Sequence, residues 1–291
     1  MHDLHSGKGC HSGKGCSSKS IASGRHGLSK TSYPSPIAAL VAEAEHKALS
    51  KALAEQSYMN EMDRLKKAYA RRTVQGKNGL YDPLAPVTWM VEQEFERAFL
   101  KLIKKCGLEP VANLRVLDVG CGGGTTLLQL IRYGFDPANM TGIELLHDRY
   151  KAAARRLPKS VELVEGDAME VDVGCGIFDV VIAFTVFSSI LDDDFRKRLA
   201  KRLWSFCKPQ GGVLWYDFTF NNPANPDVRA VLMCEIRELF PDAKIRHWRV
   251  TLAPPVARVL TRLHPALYTL ANVIVPLRTH VLCWIGKNGS P

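Results

Sequence analysis

A short buried strand that breaks into a run of glycines constrains this chain more than any other feature. Residues 116–124 read Val-Leu-Asp-Val-Gly-Cys-Gly-Gly-Gly, and an amphipathic stretch begins at Thr125. Glycine lets the backbone bend sharply here and lets a ligand approach it closely. The N-terminus of the following helix presents unpaired N–H groups, which favour a negatively charged ligand. The segment therefore predicts a strand, a ligand-binding turn and a helix.

The spacing of the glycines separates this turn from two common phosphate-binding loops. A Walker loop needs a Lys and a Ser or Thr after its last glycine, whereas Gly124 is followed by Thr125. The dinucleotide fingerprint requires a glycine or alanine as its third small residue, which would be position 125, and Thr125 occupies that position. The pattern Asp118-x-Gly120-x-Gly122-x-Gly124 instead resembles motif I of the class I methyltransferases that depend on S-adenosylmethionine (SAM). For this motif alone, a glycine turn without a ligand and a different nucleotide stay open as alternatives.

Four further segments follow in the order that this family shows. Residues 140–144 end in Glu144, and an acid there binds the ribose hydroxyls in the family. Residues 161–168 end in Gly-Asp-Ala, where the family's acid, here Asp167, accepts from the adenine amino group. Residues 178–184 are a continuous apolar run, typical of a buried parallel strand. Residues 208–216 resemble the family's Pro-Gly-Gly turn into strand five.

The resemblance implies an α/β fold with a Rossmann-like, seven-stranded, mostly parallel sheet. Helices cover both faces of this sheet, its last strand is antiparallel, and an N-terminal helical cap precedes the sheet in the sequence. The implied organisation is a basic tail over 1–35, the cap over 36–110 and the SAM-binding domain over 111–291. Periodicity predicts helices over 37–72, 87–106 and 226–240. The insertion at 253–277 is apolar and partly basic, and is either a lid or plain packing against the sheet.

The resemblance also implies which residues bind the SAM cofactor, and it implies no metal. These residues are Asp118, Gly120, Cys121, Gly122, Gly124, Glu144, Leu145, Asp167, Ala168 and Thr185.

The methyl acceptor is expected where the parallel strands end, because ligands of open α/β sheets bind at that edge. The sulfonium of SAM already makes the thioether an excellent leaving group for methyl transfer. The main task of the enzyme is therefore to align a nucleophile behind the methyl group and to exclude water. A hydroxyl acceptor also needs a base. The candidates for proton acceptance or orientation are Asp217, Tyr216 and His247, and a buried structural role is the alternative for Asp217. The candidates for acceptor binding are Tyr69, Tyr81, Trp89, Phe187, Ser188 and Asn221, with core packing as the alternative for the aromatic residues.

The fourth strand lacks the Asn/Asp-Pro-Pro-Tyr/Phe sequence of enzymes that methylate nucleobase amines, which disfavours a nucleic-acid acceptor. The chain looks like the bacterial small-molecule and polysaccharide-cluster methyltransferases, which share a Trp-Tyr-Asp-Phe type fifth strand. The expected reaction is O-methylation of a small-molecule or lipid- or glycan-linked metabolite. N- or C-methylation of a natural product or peptide, a nucleic-acid methyltransferase and a non-catalytic SAM-fold protein stay open.

The net charge of +10 is concentrated at the two ends of the 291-residue chain. Residues 1–30, which include a repeated His-Ser-Gly-Lys-Gly-Cys sequence, carry +4, and their composition predicts disorder. After Asp242 there are seven Lys or Arg and no acid, which suggests an anionic substrate, membrane surface or nucleic acid. No apolar run is long enough to span a membrane, although peripheral contact stays open. Single cysteines among apolar neighbours favour a reduced, cytoplasmic protein; the oligomeric state is left open.

Overall fold

The computed structural model describes residues 36–74, 82–223 and 225–287. The predicted tail at 1–35 and the candidate Tyr81 lie outside the described residues. The described residues divide between two units, with residues 36–48 in the first and the described residues from Leu49 onward in the second. Residues 36–48 of the first unit are helical, and the sheet lies in the second unit.

Seven strands and eight α-helices make up the described chain. The strands are β1 (Val116–Val119), β2 (Met140–Glu144), β3 (Glu162–Glu165), β4 (Phe178–Phe184), β5 (Cys207–Phe218), β6 (Lys244–Leu252) and β7 (Arg278–Gly286). The helices are α1 (Pro36–Val74), α2 (Pro86–Lys105), α3 (Thr125–Arg132), α4 (His147–Arg156), α5 (Asp193–Phe206), α6 (Met233–Leu239), α7 (Pro254–Leu263) and α8 (Ala266–Ala271).

All seven strands form one sheet in the order β3-β2-β1-β4-β5-β7-β6. The first five strands run parallel to one another, and β7 runs antiparallel to both β5 and β6. The predicted fold class is therefore confirmed. The strand order reverses between β1 and β4, which is where open α/β sheets bind their ligands.

Apolar side chains cover both faces of the sheet. On one face, Leu65 of α1, Leu203 of α5 and Ile236 of α6 belong to one buried cluster. On the other face, Leu102 of α2 and Leu130 of α3 belong to a second cluster. Burying each of these side chains contributes about 1.5–3 kcal/mol. The two layers hold the loops at the carboxyl ends of the strands in fixed positions.

Two of the three predicted helices agree with the structure to within two residues, and the third is wrong over its first half. Residues 225–232 are not helical, and α6 begins only at Met233. The Arg229 N–H donates to the Ser188 carbonyl at 2.8 Å, and the Val231 N–H donates to the Phe218 carbonyl at 3.0 Å. These bonds fix the segment against the end of β5 and use backbone groups that a helix would need.

The predicted insertion forms α7, α8 and a 3-10 turn at Val275–Leu277. Its inward side chains, Ala257 and Tyr268, are buried together with Met90 of α2 and Leu252 of β6. This agrees with the packing alternative, and the lid role stays a prediction.

Candidate cofactor and acceptor site

The glycine loop forms the predicted sharp turn between β1 and α3. The N–H groups of Gly120 and Cys121 both donate to the Ile143 carbonyl at the end of β2, at 2.8 and 3.0 Å. Gly122 and Gly124 have φ angles of 59° and 82°, which L side chains rarely adopt. A Cβ on Gly122 would lie 2.4 Å from Nη2 of Arg149. The loop therefore needs glycine for its positive-φ conformation, and the Arg149 guanidinium group lies close to Gly122.

Two acids lie beside this loop in buried positions. The Glu144 side chain is 4% exposed; Oε2 accepts from the Gly122 N–H at 2.7 Å, and Oε1 accepts from the Leu146 N–H at 2.9 Å. Asp118 is 2% exposed, and its Oδ2 has no hydrogen-bond partner within the described chain. Burial, and then the charge of Glu144, raise the pKa of Asp118 to about 7. A buried carboxylate oxygen without a partner, next to a second acid, suits a cationic ligand such as the ammonium and sulfonium groups of SAM.

A cavity of about 280 Å³ lies against the loop. Its lining comes from the ends of β1, β2, β3 and β4 and from α1 and α5: Met62, Leu65, Tyr69, Val119, Gly120, Cys121, Gly123, Thr125, Thr126, Ile143, Glu144, Leu145, Leu146, Arg149, Gly166, Asp167, Ala168, Phe184, Thr185, Val186, Ser189, Ile190, Phe195 and Leu199. Of the ten residues expected to bind the cofactor, seven line this cavity. The remaining three, Asp118, Gly122 and Gly124, form the strand end and turn beside it.

The region expected to hold adenine has an apolar wall and a single acid. Asp167 Oδ1 accepts from the Met169 N–H at 2.8 Å, and its Oδ2 accepts a short hydrogen bond from the Tyr58 hydroxyl of α1. The Tyr58 ring packs edge-on against Phe195, with ring centroids 5.1 Å apart. Burial and the adjacent Asp167 both raise the pKa of Tyr58, which keeps the hydroxyl protonated as a donor. Sequence reasoning missed Tyr58, because only the packing of α1 brings it to Asp167.

Residues 49–74 of α1 cover the cavity and are held there by polar contacts. Glu61 pairs with Arg64 at 2.8 Å and accepts from the Leu191 N–H at 2.6 Å. Arg64 also donates a short hydrogen bond to the Ser189 carbonyl, and Arg71 pairs with Asp227 at 2.6 Å. These contacts fix α1 to the loop after β4 and, through Asp227, to the segment after β5. Residues 49–74 of α1 therefore lie over the cavity, whereas α2 packs on the opposite face of the sheet. A cap formed by the whole of residues 36–110 stays a prediction.

Arg149 is a second cavity residue that sequence reasoning missed. It lies in the first turn of α4, five residues after Glu144, and its guanidinium carbon is 5.1 Å from the centroid of the Tyr69 ring. A cation beside Gly122 suits the carboxylate of the methionine half of SAM. Its signal in the sequence is a basic residue in the first turn of the helix after strand two.

The loop after β4 forms the edge at which an acceptor would meet the methyl group. Thr185 has a φ of 55°, and its N–H donates to the Tyr216 carbonyl at 2.7 Å. A left-handed conformation in a non-glycine residue stores strain and is common at functional sites. The Tyr69 hydroxyl lies 3.2 Å from Oγ of Ser189. Thr185 lines the cavity beside Tyr69 and Ser189, and its hydroxyl donates to the Phe184 carbonyl at 2.7 Å.

Four of the expected acceptor-binding residues do not reach the cavity. Phe187 and Ser188 are buried, and Phe187 packs on Trp215 with ring centroids 4.3 Å apart. Trp89 packs against the cluster around Met90 on the α2 side. Asn221 accepts from the Ala230 N–H at 2.7 Å in the loop after β5. Only Tyr69 of the described candidates lines the cavity, because the other side chains point into the core or into loop contacts.

The three expected catalytic residues also lie outside the cavity lining. Asp217 is fully buried: Oδ2 accepts from the Ser188 N–H at 2.9 Å, and Oδ1 accepts from the Phe218 N–H at 3.0 Å. Burial raises the pKa of Asp217 to about 6. This arrangement matches the alternative of a buried structural Asp, because its carboxylate holds the turn at Phe187–Ser189 onto the end of β5.

Tyr216 lies on the opposite face of the sheet from Asp217. Its hydroxyl is 2.8 Å from Oγ1 of Thr251, and its ring stacks on His280. Burial raises the pKa of Tyr216, which disfavours a phenolate base. His247 lies on the edge strand β6, and its side chain is exposed. Partial desolvation of the ring, and then the charge of Arg237, lower its pKa. The expectation that these side chains face the acceptor therefore does not agree with the geometry.

Comparison with known proteins identifies the domain that carries the cavity. The family model of a methyltransferase domain matches residues 116–211. The human tRNA N(3)-cytidine methyltransferase METTL2B is 29% identical over 115 residues, which are 37% of this chain. The chain spans about 30% of the length of that curated relative.

One solved enzyme structure shares the fold at low sequence identity. The 1,6-didemethyltoxoflavin-N1-methyltransferase of Burkholderia thailandensis, with bound S-adenosylhomocysteine, superposes with a TM-score of 0.51 at 19% identity. The alignment covers 80% of this chain and 90% of that enzyme. A SAM-dependent methyltransferase from Archaeoglobus fulgidus aligns with a TM-score of 0.48 at 14% identity, covering 66% of this chain and 94% of the other. No helix in the described ranges is long and apolar enough to cross a membrane.

Proposed function

We propose that the chain carries a class I, SAM-dependent methyltransferase domain, and that it transfers the SAM methyl group to an acceptor that enters beside Tyr69, Thr185 and Ser189. The match of residues 116–211 to the family model of a methyltransferase domain supports this. One observation carries the proposal. The cavity joins the positive-φ glycine loop, Glu144 and Asp167 on one side to this hydroxyl-lined edge on the other.

In this proposal, different residues of the chain bind different parts of the methyl donor SAM. Glu144 has lone pairs left after accepting two backbone N–H groups, and these can accept the ribose hydroxyls. Asp167 accepts from the adenine amino group, with Tyr58 orienting its carboxylate. Asp118 faces the positive charge of the methionine half, and Arg149 faces its carboxylate. When SAM is bound it supplies an electrophilic methyl group on a sulfonium.

The acceptor class that we propose is a small or lipid- or glycan-linked metabolite. Asp217 and Tyr216 are engaged in structural hydrogen bonds. We therefore infer that the nucleophile arrives ready to react, either as an already ionised oxygen or as a neutral amine nitrogen. Tyr69, Thr185 and Ser189 then orient it by hydrogen bonding, and α1 excludes water from the methyl group.

The donor assignment is tested by a pair of matched variants. Glu144→Gln is expected to raise the Kd for SAM about tenfold or more, because a charged acceptor of hydrogen bonds is lost. Glu165→Gln, at the exposed end of the neighbouring strand β3, is the control and should bind SAM like the wild type. Equal affinity of the two variants in a calorimetric titration would exclude Glu144 as a ligand. Methyl-labelled SAM and extracts of the source organism then identify the acceptor and the labelled atom.

A second candidate function is methylation of RNA. The match to a tRNA methyltransferase and the acid-free, basic sequence after Asp242 favour it. It predicts RNA binding that weakens steeply with salt and label that enters the RNA fraction of the extract. Label that enters only the metabolite or lipid fraction would remove this candidate.

A further inference from the structure

An exposed aliphatic surface lies on the insertion between β6 and β7, and no residue of this segment is among those that line the cofactor cavity. Its side chains are between 46% and 74% exposed: Val259, Leu263, Leu270, Val273, Ile274 and Val275. The same segment already buries Ala257 and Tyr268 inward. The fold therefore does not need the outward side chains to be apolar, and so many exposed aliphatic side chains within one short segment suggest a contact surface.

Basic side chains accompany these aliphatic residues. Arg258 and Arg262 lie on α7, and Arg262 is exposed between Val259 and Leu263. No Asp or Glu follows Asp242 in the sequence. Glu94 of α2, which packs beneath the insertion, is buried and accepts from the Thr251 N–H at 2.9 Å. The outer side of the segment thus combines apolar and positive groups.

We propose that residues 253–277, called the insertion surface, bind the surface of an anionic lipid bilayer. Short helices that carry aliphatic and basic side chains bury the aliphatic ones in the interfacial region of a bilayer. Their basic side chains pair with acidic lipid headgroups. Nucleic-acid surfaces use cations and aromatic rings that stack on bases. Here the one aromatic residue of the segment, Tyr268, is buried, and the exposed groups are aliphatic, which favours lipid over RNA.

The position of the insertion surface gives this contact a use. The segment joins the carboxyl end of β6 at Leu252 to the start of β7 at Arg278. These two strand ends lie at the same end of the sheet as the carboxyl end of β4, which Thr185 follows. A domain held to a bilayer by the insertion surface therefore has its acceptor edge on the lipid side, which suits a lipid-linked acceptor. That last step rests on the proposed function; the bilayer contact does not.

Vesicle binding of the full chain tests the proposal without SAM or acceptor. The probes are vesicles of phosphatidylcholine alone and of phosphatidylcholine with about one third phosphatidylglycerol, an anionic fraction high enough to attract basic segments. We expect the wild type to sediment with the anionic vesicles, with binding that weakens as salt screens the headgroups. Leu263→Glu/Ile274→Glu should lower the partition coefficient on the order of a hundredfold. Arg258→Gln/Arg262→Gln should lower it by about tenfold or more.

Leu84→Glu is the matched control, because Leu84 is an aliphatic side chain that is 87% exposed outside the insertion. It should bind vesicles like the wild type, and all variants should keep the wild-type melting temperature and SAM affinity. Several results would overturn the proposal: no binding to anionic vesicles, equal binding of the Leu263→Glu/Ile274→Glu variant, or RNA binding in place of vesicle binding. Self-association that Leu263→Glu/Ile274→Glu abolishes, without vesicle binding, would reassign the surface to a second copy. Vesicle binding without methyl transfer would leave the contact standing and remove the enzyme proposal alone.

Discussion

The Tyr58 hydroxyl of α1 donates a short hydrogen bond to Oδ2 of Asp167, the acid that follows β3. This contact joins the helix that covers the cavity to the acid expected to bind adenine. It leaves Asp167 fixed by two donors, Tyr58 and the Met169 N–H. The Asp167 carboxylate thus contacts the helix that covers the cavity as well as the loop after β3.

Tyr58→Phe is expected to weaken SAM binding by about fivefold to tenfold, because one hydrogen bond that orients a charged ligand group contributes about 1–1.5 kcal/mol. Calorimetric titration with SAM measures this change. Ser57→Ala is the control: it removes the 2.5 Å hydrogen bond to Asp192 from the same helix without changing a cavity residue. If both variants lose the same affinity, the effect belongs to the docking of α1 and not to the orientation of Asp167.

Asp118→Asn should stabilise the ligand-free protein above pH 7 and weaken its binding of SAM. The folded pKa of Asp118, about 7, is above the unfolded value of about 3.9. Ionisation therefore costs stability progressively as the pH rises from about 4 through 7, and the variant avoids this cost. The expected gain in the free energy of unfolding is on the order of 2 kcal/mol at pH 8.

The same pKa predicts the pH dependence of cofactor binding. Below about pH 7 the wild-type Asp118 binds a proton and loses its attraction for a cation, so the affinity for SAM should fall with the pH. In Asp118→Asn the affinity should be low and should not depend on this titration. A denaturation series at pH 5 and pH 8 and titrations over the same range check both expectations. A wild-type SAM affinity that is constant from pH 5 to pH 8 would contradict this role of Asp118.

The sequence predicts those parts of the site that lie within short, continuous segments. The glycine turn, Glu144 and Asp167 follow strands directly, so the local pattern of apolar residue, acid and glycine identifies them. Tyr58 reaches Asp167, and Arg149 reaches the cavity, only through the packing of α1 and α4, which no local pattern encodes. Asp217 follows the same strand-end rule as Glu144, yet its side chain points toward the Ser188 N–H and not into the cavity. The alternation of a strand places a side chain on one face, but the neighbouring loop decides what it contacts.

Arg149→Ala should weaken only those ligands that carry the amino-acid group. S-adenosylhomocysteine has the carboxylate that we expect Arg149 to bind, whereas 5′-methylthioadenosine lacks it. The Kd for S-adenosylhomocysteine should rise about tenfold, since a charge-assisted hydrogen bond contributes about 1.5–3 kcal/mol. The Kd for 5′-methylthioadenosine should be unchanged. An equal loss for both ligands would show that Arg149 supports the loop around Gly122 and does not contact the carboxylate.

Asp217→Asn separates a structural acid from a catalytic base. Both carboxylate oxygens accept backbone N–H groups, and an amide can accept from only one of them, since its NH2 group is a donor. We expect the free energy of unfolding to fall by about 1–3 kcal/mol, the cost of a buried donor left without its partner. The turn at Phe187–Ser189, which Asp217 holds, should exchange its amide hydrogens faster. The pH profile of methyl transfer should keep its wild-type shape at temperatures where the variant is folded. If Asp217, with a pKa of about 6, were the catalytic base, the pH profile of the variant would lack the rising limb near that pH. This result would show that Asp217 takes part in the reaction.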